Sequence, residues 1–193
     1  MLNRRDPPGW DALGAVLLWC WFGMMNGRKP LLMLLSAAVI HEAGHLLVLK
    51  YYGVPVTGLR LTMLGAEIRT ENMRLKYGQE LLAVLAGPLF NFLSAGLLLQ
   101  APAEYEDLHV AAGAHLVLGI FNILPLPALD GWRVLNLLFL WRWGPDRGEQ
   151  WSDNIGKVVS VCVLTALAYL MWKTGGNLWL LLPVWGIAQS MKR

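Results

Sequence analysis

The segment AAVIHEAGHLLVL, residues 37–49, places two histidines and a glutamate inside an otherwise apolar run. His41 and His45 are four residues apart, so on an α-helix both imidazoles point to the same side. This spacing allows both rings to bind one metal ion, and it places Glu42 where it can take a proton from water at the metal. The pattern predicts a hydrolytic metal site with Zn²⁺ as the cofactor and Glu42 as the general base.

An alternative explanation of the same residues is a set of polar groups that are hydrogen-bonded between helices, without a metal. An ionised glutamate between two histidines is costly in an apolar environment unless a cation compensates it. That cost favours the metal site.

A catalytic zinc site usually has three protein ligands and one open position. Asp130 follows the proline-rich break NILPLP and is the only acidic residue in the long apolar stretch 108–145. We expect Asp130 to complete the ligand set, and its alternative role is to cap a helix that begins at Gly131. His109 and His115 lie towards the opposite end of the same span, and we predict that they are interfacial or packing residues.

The composition indicates an integral membrane protein. Hydrophobic residues make up 56% of the 193 residues and charged residues only 15%, whereas soluble domains carry about a quarter charged residues. The net charge of +3 is small and scattered, so we expect no nucleic-acid partner. We predict an all-α integral membrane protein that forms a single domain over residues 1–193. Six apolar segments are long enough to cross a hydrocarbon core of about 30 Å, which predicts a six-transmembrane-helix bundle. These segments are 10–26, 30–50, 79–100, 108–130, 154–173 and 176–191.

Lysines and arginines are concentrated in the loops on one side of these spans, whereas the other side has only Arg28, Lys29 and Lys173. The positive-inside rule then predicts a multi-pass protein of the cell membrane with both termini in the cytoplasm.

Two segments interrupt the regular pattern of spans. The prolines of NILPLP should unwind the chain, with a short helix resuming over residues 131–143. Residues 56–70 alternate apolar and polar side chains, which predicts a short β-hairpin on the cytoplasmic side. A disordered basic loop is the alternative for this segment.

Three motifs carry a family resemblance: HEAGH at 41–45, AGPLFNFL at 86–93 and FNILPLPALDGWRVL at 121–135. In this order they resemble the site-2 protease family of intramembrane zinc metalloproteases, and in particular its compact bacterial branch, which includes the sporulation-factor processing enzymes. The resemblance implies that the zinc ligands are His41, His45 and Asp130 and that Glu42 is the general base.

The resemblance also assigns roles to two asparagines. Asn91 and Asn122 match positions that the family associates with substrate binding beside the site, although an interhelical hydrogen bond is an equal alternative for Asn91. The hairpin at 56–70 resembles the strands that family members use to hold substrate. Trp132 departs from the family pattern, in which many members have a second glycine, and we expect it to affect local packing only.

The implied activity is hydrolysis of peptide bonds in or near the transmembrane segments of membrane-bound proteins, that is, regulated intramembrane proteolysis. The expected partners are the lipid bilayer and a single-span or membrane-associated substrate, a transcription regulator by family analogy. We expect no PDZ or CBS domain. The alternative functions are a membrane metal transporter, which should show polar residues across the whole bilayer, and a catalytically inactive metal-binding scaffold.

Overall fold

A computed structural model of the chain describes residues 19–20, 22–62, 65–70, 75–127 and 129–175. The described part is mostly helical and contains one small antiparallel sheet. Its helices and strands, in chain order, are α1 Arg28–Tyr51, β1 Val56–Thr62, β2 Gly65–Thr70, α2 Tyr77–Leu98, α3 Glu106–Ile123, α4 Asp130–Trp143 and α5 Pro145–Lys173.

Helices α1, α2 and α3 pack against one another. Lys29 Nζ lies 2.7 Å from Asp107 Oδ2, so α1 and α3 begin at the same end of this group and α2 runs back in the opposite direction. Small residues dominate the buried face of α2, which allows the close helix approach typical of membrane proteins: Ala83, Val84, Ala86, Gly87, Pro88, Asn91 and Ala95.

Helices α4 and α5 form a second packed pair, and α4 also contacts α2 and α3. The buried residues of α5 recur every fourth position, which keeps them on one face of the helix: Gly148, Ser152, Gly156 and Ser160. Ser152 Oγ donates to Asn136 Oδ1 across the pair at 2.8 Å. At the start of α2, Glu80 Oε1 lies 3.8 Å from Arg133 Nη2 of α4. Helix α4 therefore connects α5 to the three-helix group.

Three of the described helices are long and apolar enough to cross a membrane, namely α1, α2 and α5. Helices α1 and α2 agree closely with the predicted spans 30–50 and 79–100. Helix α5 begins at Pro145 rather than at residue 154. Proline suits the first turn of a helix and an acidic residue stabilises it, so the polar residues before 154 extend the helix although they are not apolar.

The other predicted spans are described in part or not at all. The predicted span 108–130 is helical only as far as Ile123. Of the predicted span 10–26, only residues 19, 20 and 22–26 are described, and all of these are helical. The predicted span 176–191 lies outside the described residues. The six-span bundle therefore stays a prediction.

The segment between α1 and α2 contains the predicted strand pairing. β1 and β2 are antiparallel, with Leu59 opposite Ile68 and Thr62 opposite Gly65, and the register shifts between Val56 and Gly58. Residues 63–64, which connect the strands, lie outside the described part. Residues 56–62 and 65–70 are thus paired strands rather than an unpaired loop, and the cytoplasmic hairpin stays a prediction.

Candidate metal centre

Helix α1 presents His41 and His45 on its buried face. The two side chains belong to residues that are 4% and 9% exposed, and their Nε2 atoms lie 3.2 Å apart. The rings are nearly perpendicular, with centroids 4.8 Å apart. As the spacing of four residues predicts, the two imidazoles lie on the same side of the helix, and their Nε2 atoms are close together.

Asp130 reaches this point from the break between α3 and α4. Pro125 and Pro127 follow the end of α3. The Leu126 N–H donates to the Leu124 carbonyl oxygen and the Leu129 N–H donates to the Leu126 carbonyl oxygen, which forms two short turns. Leu126 and Leu129 are buried and anchor the break in the apolar core. Asp130 Oδ2 then lies 3.0 Å from His41 Nε2 and 3.1 Å from His45 Nε2.

Asp130 is not the cap of the short helix. The residue that precedes the first turn of α4 is Leu129, and no side chain caps that end by a hydrogen bond. Asp130 is instead the first residue of α4, one position before the predicted start at Gly131. The capping alternative is therefore wrong, and the carboxylate is directed to the histidines.

The three donor atoms have the separations that one metal ion requires. Two ligands bound tetrahedrally at about 2.0 Å from zinc are about 3.3 Å apart, and the observed separations are 3.0, 3.1 and 3.2 Å. Hydrogen bonds alone satisfy the group less well, because His45 Nδ1 faces a backbone carbonyl oxygen. If Nδ1 carries the hydrogen of that ring, the lone pair of His45 Nε2 faces the Asp130 carboxylate at 3.1 Å without a hydrogen between them. One cation satisfies all three contacts. His41, His45 and Asp130 could therefore hold a metal ion.

Gly87 of α2 makes room for this group. A Cβ at position 87 would overlap His45 Nε2 and would lie 2.8 Å from His41 Cε1. Gly44 has a similar role on α1, since a Cβ there would lie 2.7 Å from the backbone oxygen of Ala86. The two glycines bring α1 and α2 close enough for the ring nitrogens to line the space beside Gly87.

Hydrogen bonds behind the rings fix their orientation. A neutral imidazole has one N–H and one nitrogen lone pair. His45 Nδ1 lies 2.8 Å from the Ala83 carbonyl oxygen, which only accepts, so Nδ1 donates and Nε2 keeps its lone pair. Such a backbone partner on the second ring nitrogen is typical of metal-binding histidines.

The predicted substrate-binding asparagines differ in their surroundings. Asn91 is fully buried, with Nδ2 3.2 Å from His41 Nδ1 and Oδ1 3.1 Å from His115 Nδ1. Asn122 is half-buried and its Nδ2 donates to the Leu118 carbonyl oxygen of its own helix at 3.0 Å. Asn91 is thus hydrogen-bonded to a histidine of the candidate metal centre, whereas the hydrogen bond of Asn122 lies within its own helix. Contact of either residue with substrate stays a prediction.

The two histidines of α3, which the sequence predicts to be interfacial or packing residues, differ in their surroundings, and the contact of His115 with Asn91 was not predicted. His109 is half-buried and its Nδ1 lies 3.1 Å from the Tyr105 carbonyl oxygen. Its interfacial role stays a prediction. His115 is only 2% exposed and contacts Asn91. The available signal was helical periodicity, because Ala112, His115 and Gly119 recur on one face of α3 and are all buried.

Glu42 follows His41 on α1 and is half-buried. It therefore borders the buried face on which the two histidines lie. Its predicted role as general base stays a prediction at this point.

The residues around this site match a known protein family. Residues 30–103 match Peptidase family M50. This segment belongs to peptidase family M50. The family M50 segment includes His41, Glu42, His45 and Asn91, whereas Asp130 follows it in the chain.

Two curated relatives of this chain are named as zinc metalloproteases. The zinc metalloprotease MJ0392 of Methanocaldococcus jannaschii is 29% identical over 141 residues, which cover 69% of this chain and 41% of the relative. The putative zinc metalloprotease Rip3 of Mycobacterium tuberculosis is 30% identical over 190 residues, which cover 90% of this chain and 46% of the relative. The chain spans less than half the length of the curated relatives that it matches.

The fold also has a match among solved structures. A site-2 protease from Methanocaldococcus jannaschii superposes with a TM-score of 0.67 at 24% identity, covering 93% of this chain and 88% of that one. The fold is therefore that of a site-2 protease. The narrower resemblance to the sporulation-factor processing branch stays a prediction.

Proposed function

We propose that this chain is an intramembrane zinc metalloendopeptidase of the H-E-x-x-H type, which hydrolyses peptide bonds in or near the transmembrane segments of membrane-bound proteins. The observation that carries the proposal is the convergence of His41, His45 and Asp130. Two imidazole nitrogens and one carboxylate oxygen meet at 3.0–3.2 Å, although the carboxylate lies 85 and 89 residues beyond the two histidines in the chain. Such a donor set is the usual choice of catalytic zinc, which keeps a further position open.

In the proposed mechanism, the protein holds the metal and moves the protons. When bound, Zn²⁺ supplies Lewis-acid chemistry, which activates water and polarises the scissile carbonyl group. Glu42 accepts the proton of the attacking water and passes it to the amine nitrogen that leaves. The Ala83 carbonyl oxygen keeps the His45 ring oriented by accepting from Nδ1 at 2.8 Å. Burial of His41 and His45 limits the access of bulk water to the site.

The proposed substrate is a single-span or membrane-associated protein that binds as an extended strand. An intact helix uses its carbonyl groups in internal hydrogen bonds, so the scissile region must unwind before it can react. The β1–β2 hairpin offers a strand edge with which an extended segment could pair by β-augmentation. Asn91 and Asn122 would contribute polar contacts to the substrate, and the released product would be a soluble fragment such as a transcription regulator.

The proposed setting is the cell membrane, with six spans, both termini in the cytoplasm and the hairpin on the cytoplasmic side. Three described helices have the length and apolar character of membrane spans, which supports this setting. The asymmetric distribution of lysine and arginine in the sequence supports the orientation.

Glu42→Gln separates this function from its alternatives. The substitution removes the proton acceptor and leaves the three metal donors in place, so purified variant and parent should bind equal Zn²⁺ while the variant loses cleavage of a co-expressed single-span substrate. The measurement pairs metal analysis in detergent with an immunoblot of the substrate. Unchanged cleavage would remove Glu42 from the mechanism. Metal binding without cleavage in the parent itself, across a panel of single-span substrates, would favour the scaffold.

A further inference from the structure

A buried chain of hydrogen bonds leads away from the metal centre into α3. His41 Nδ1 lies 3.2 Å from Asn91 Nδ2, and Asn91 Oδ1 lies 3.1 Å from His115 Nδ1. Asn91 is 0% exposed and His115 is 2% exposed, so both interactions are shielded from solvent. The proposed mechanism does not use His115.

The amide of Asn91 cannot serve both rings in the same way. One end of an amide only donates and the other end only accepts. With Nδ2 on His41, the amide donates to His41 Nδ1, and the hydrogen of that ring must be on Nε2. Nε2–H then donates to Asp130 Oδ2, at 3.0 Å, and no lone pair faces the metal position.

Metal binding by His41 requires the reverse arrangement. Its Nε2 must present a lone pair, so Nδ1 carries the hydrogen and needs an acceptor. A half-turn of the Asn91 amide places Oδ1 on His41 Nδ1 and Nδ2 on His115 Nδ1. His115 Nδ1 must then accept where it previously donated. Each ring keeps one hydrogen throughout, so the change is one of tautomer and involves no net gain or loss of protons.

We propose that His115 is a positioning residue of the metal centre: through the Asn91 amide it determines which nitrogen of His41 carries the hydrogen, and thereby whether His41 can bind the metal. This inference rests on the metal site of the proposed function. A neutral imidazole suits the position because its Nδ1 can either donate or accept in place. An apolar side chain at 115 would leave the inner end of the buried amide without a partner, which is costly.

The test compares Zn²⁺ affinity among full-length variants in detergent, measured by competition with a chelator. His115→Leu removes the partner of Asn91 and should weaken Zn²⁺ binding about tenfold or more, as for other residues that orient ligands. His115→Gln can still donate or accept and should stay within about threefold of the parent. His109→Leu is the matched control, because His109 is a half-buried histidine of the same helix whose hydrogen bond goes to its own backbone, at the Tyr105 carbonyl oxygen.

Equal affinity of His115→Leu and His109→Leu would overturn the role of His115 while leaving the metal site intact. A parent protein that binds no Zn²⁺ would overturn the metal site, and with it both the proposed function and this inference. The two failures are therefore distinguishable.

A second measurement is made on the parent protein, and a variant serves only to assign the signals. In the full chain labelled with ¹⁵N-histidine, addition of Zn²⁺ should move the His115 Nδ1 resonance from the protonated to the unprotonated range, and His109 should not respond. The His115 signals are assigned from their loss in His115→Gln. A His115 Nδ1 that keeps its hydrogen when Zn²⁺ is bound would overturn the proposal.

Discussion

The carbonyl oxygen of Ile123, the last residue of α3, occupies the space into which a Cβ on Gly131 would project. The end of α3 and the first turn of α4 are therefore in backbone contact across the proline break. Asp130 is the residue before Gly131, so this contact sets how far the carboxylate extends towards α1. The position of the Asp130 carboxylate therefore depends on Gly131, which has no side chain.

Gly131→Ala should displace the first turn of α4 and weaken metal binding. The overlap is with backbone atoms, which cannot be relieved by a change of rotamer, so the helix start must move. We expect loss of bound Zn²⁺ after gel filtration in the presence of a chelator. Gly113→Ala on α3 is the control, since a Cβ there meets no atom within 4 Å. Equal Zn²⁺ content in the two variants would show that the contact at 131 does not position Asp130.

Gly87→Ala should disrupt the metal centre from α2. The added methyl group would overlap His45 Nε2, and its carbon would lie 2.8 Å from His41 Cε1. Overpacking of this kind costs about 1–3 kcal/mol, and here it falls on the ligands themselves. We expect weaker Zn²⁺ binding and lower cleavage. Gly96→Ala on the same helix meets nothing within 4 Å and should behave as the parent, so a Gly87 variant that matched it would argue against the close approach.

Asp130→Asn should separate charge from shape at the third donor. The amide is nearly the size of the carboxylate but lacks its negative charge. Zn²⁺ affinity should therefore fall by more than the roughly 10–100-fold that is typical when a residue that hydrogen-bonds to a metal ligand is replaced. Chelator competition measures the change. Asp107→Asn provides the comparison, because Asp107 is an exposed acid paired with Lys29 and such pairs contribute little. If the Asp130 variant bound Zn²⁺ with the affinity of the parent, Asp130 would not be a metal ligand.

Local patterns in the sequence predict the first half of the site. The spacing of His41 and His45 needs only helical periodicity, and α1 is helical over both residues. The hairpin follows from alternation over 56–70. The break before Asp130 follows from its prolines, which cannot continue α3. Each of these features is determined by residues within a few positions of one another.

The features that were missed depend on packing between distant segments. His115 faces Asn91 only because Gly119 lets α3 approach α2, where a Cβ would lie 3.3 Å from the Asn91 Cβ. No local pattern states which side of α3 meets α2. The start of α5 at Pro145 does not follow from apolar character either, because the first turns of this helix are polar.

The separation of the donors along the chain has a consequence for assembly. Position 130 is 89 residues beyond His41, and α2 and α3 lie between them. An ion held by both ends closes this long loop like a cross-link, and such closures restrict the unfolded chain most when the loop is long. During synthesis the complete ligand set exists only after α4 has started to emerge. Capture of the metal is therefore a late event, and it fastens the α4–α5 pair to helices that were made earlier.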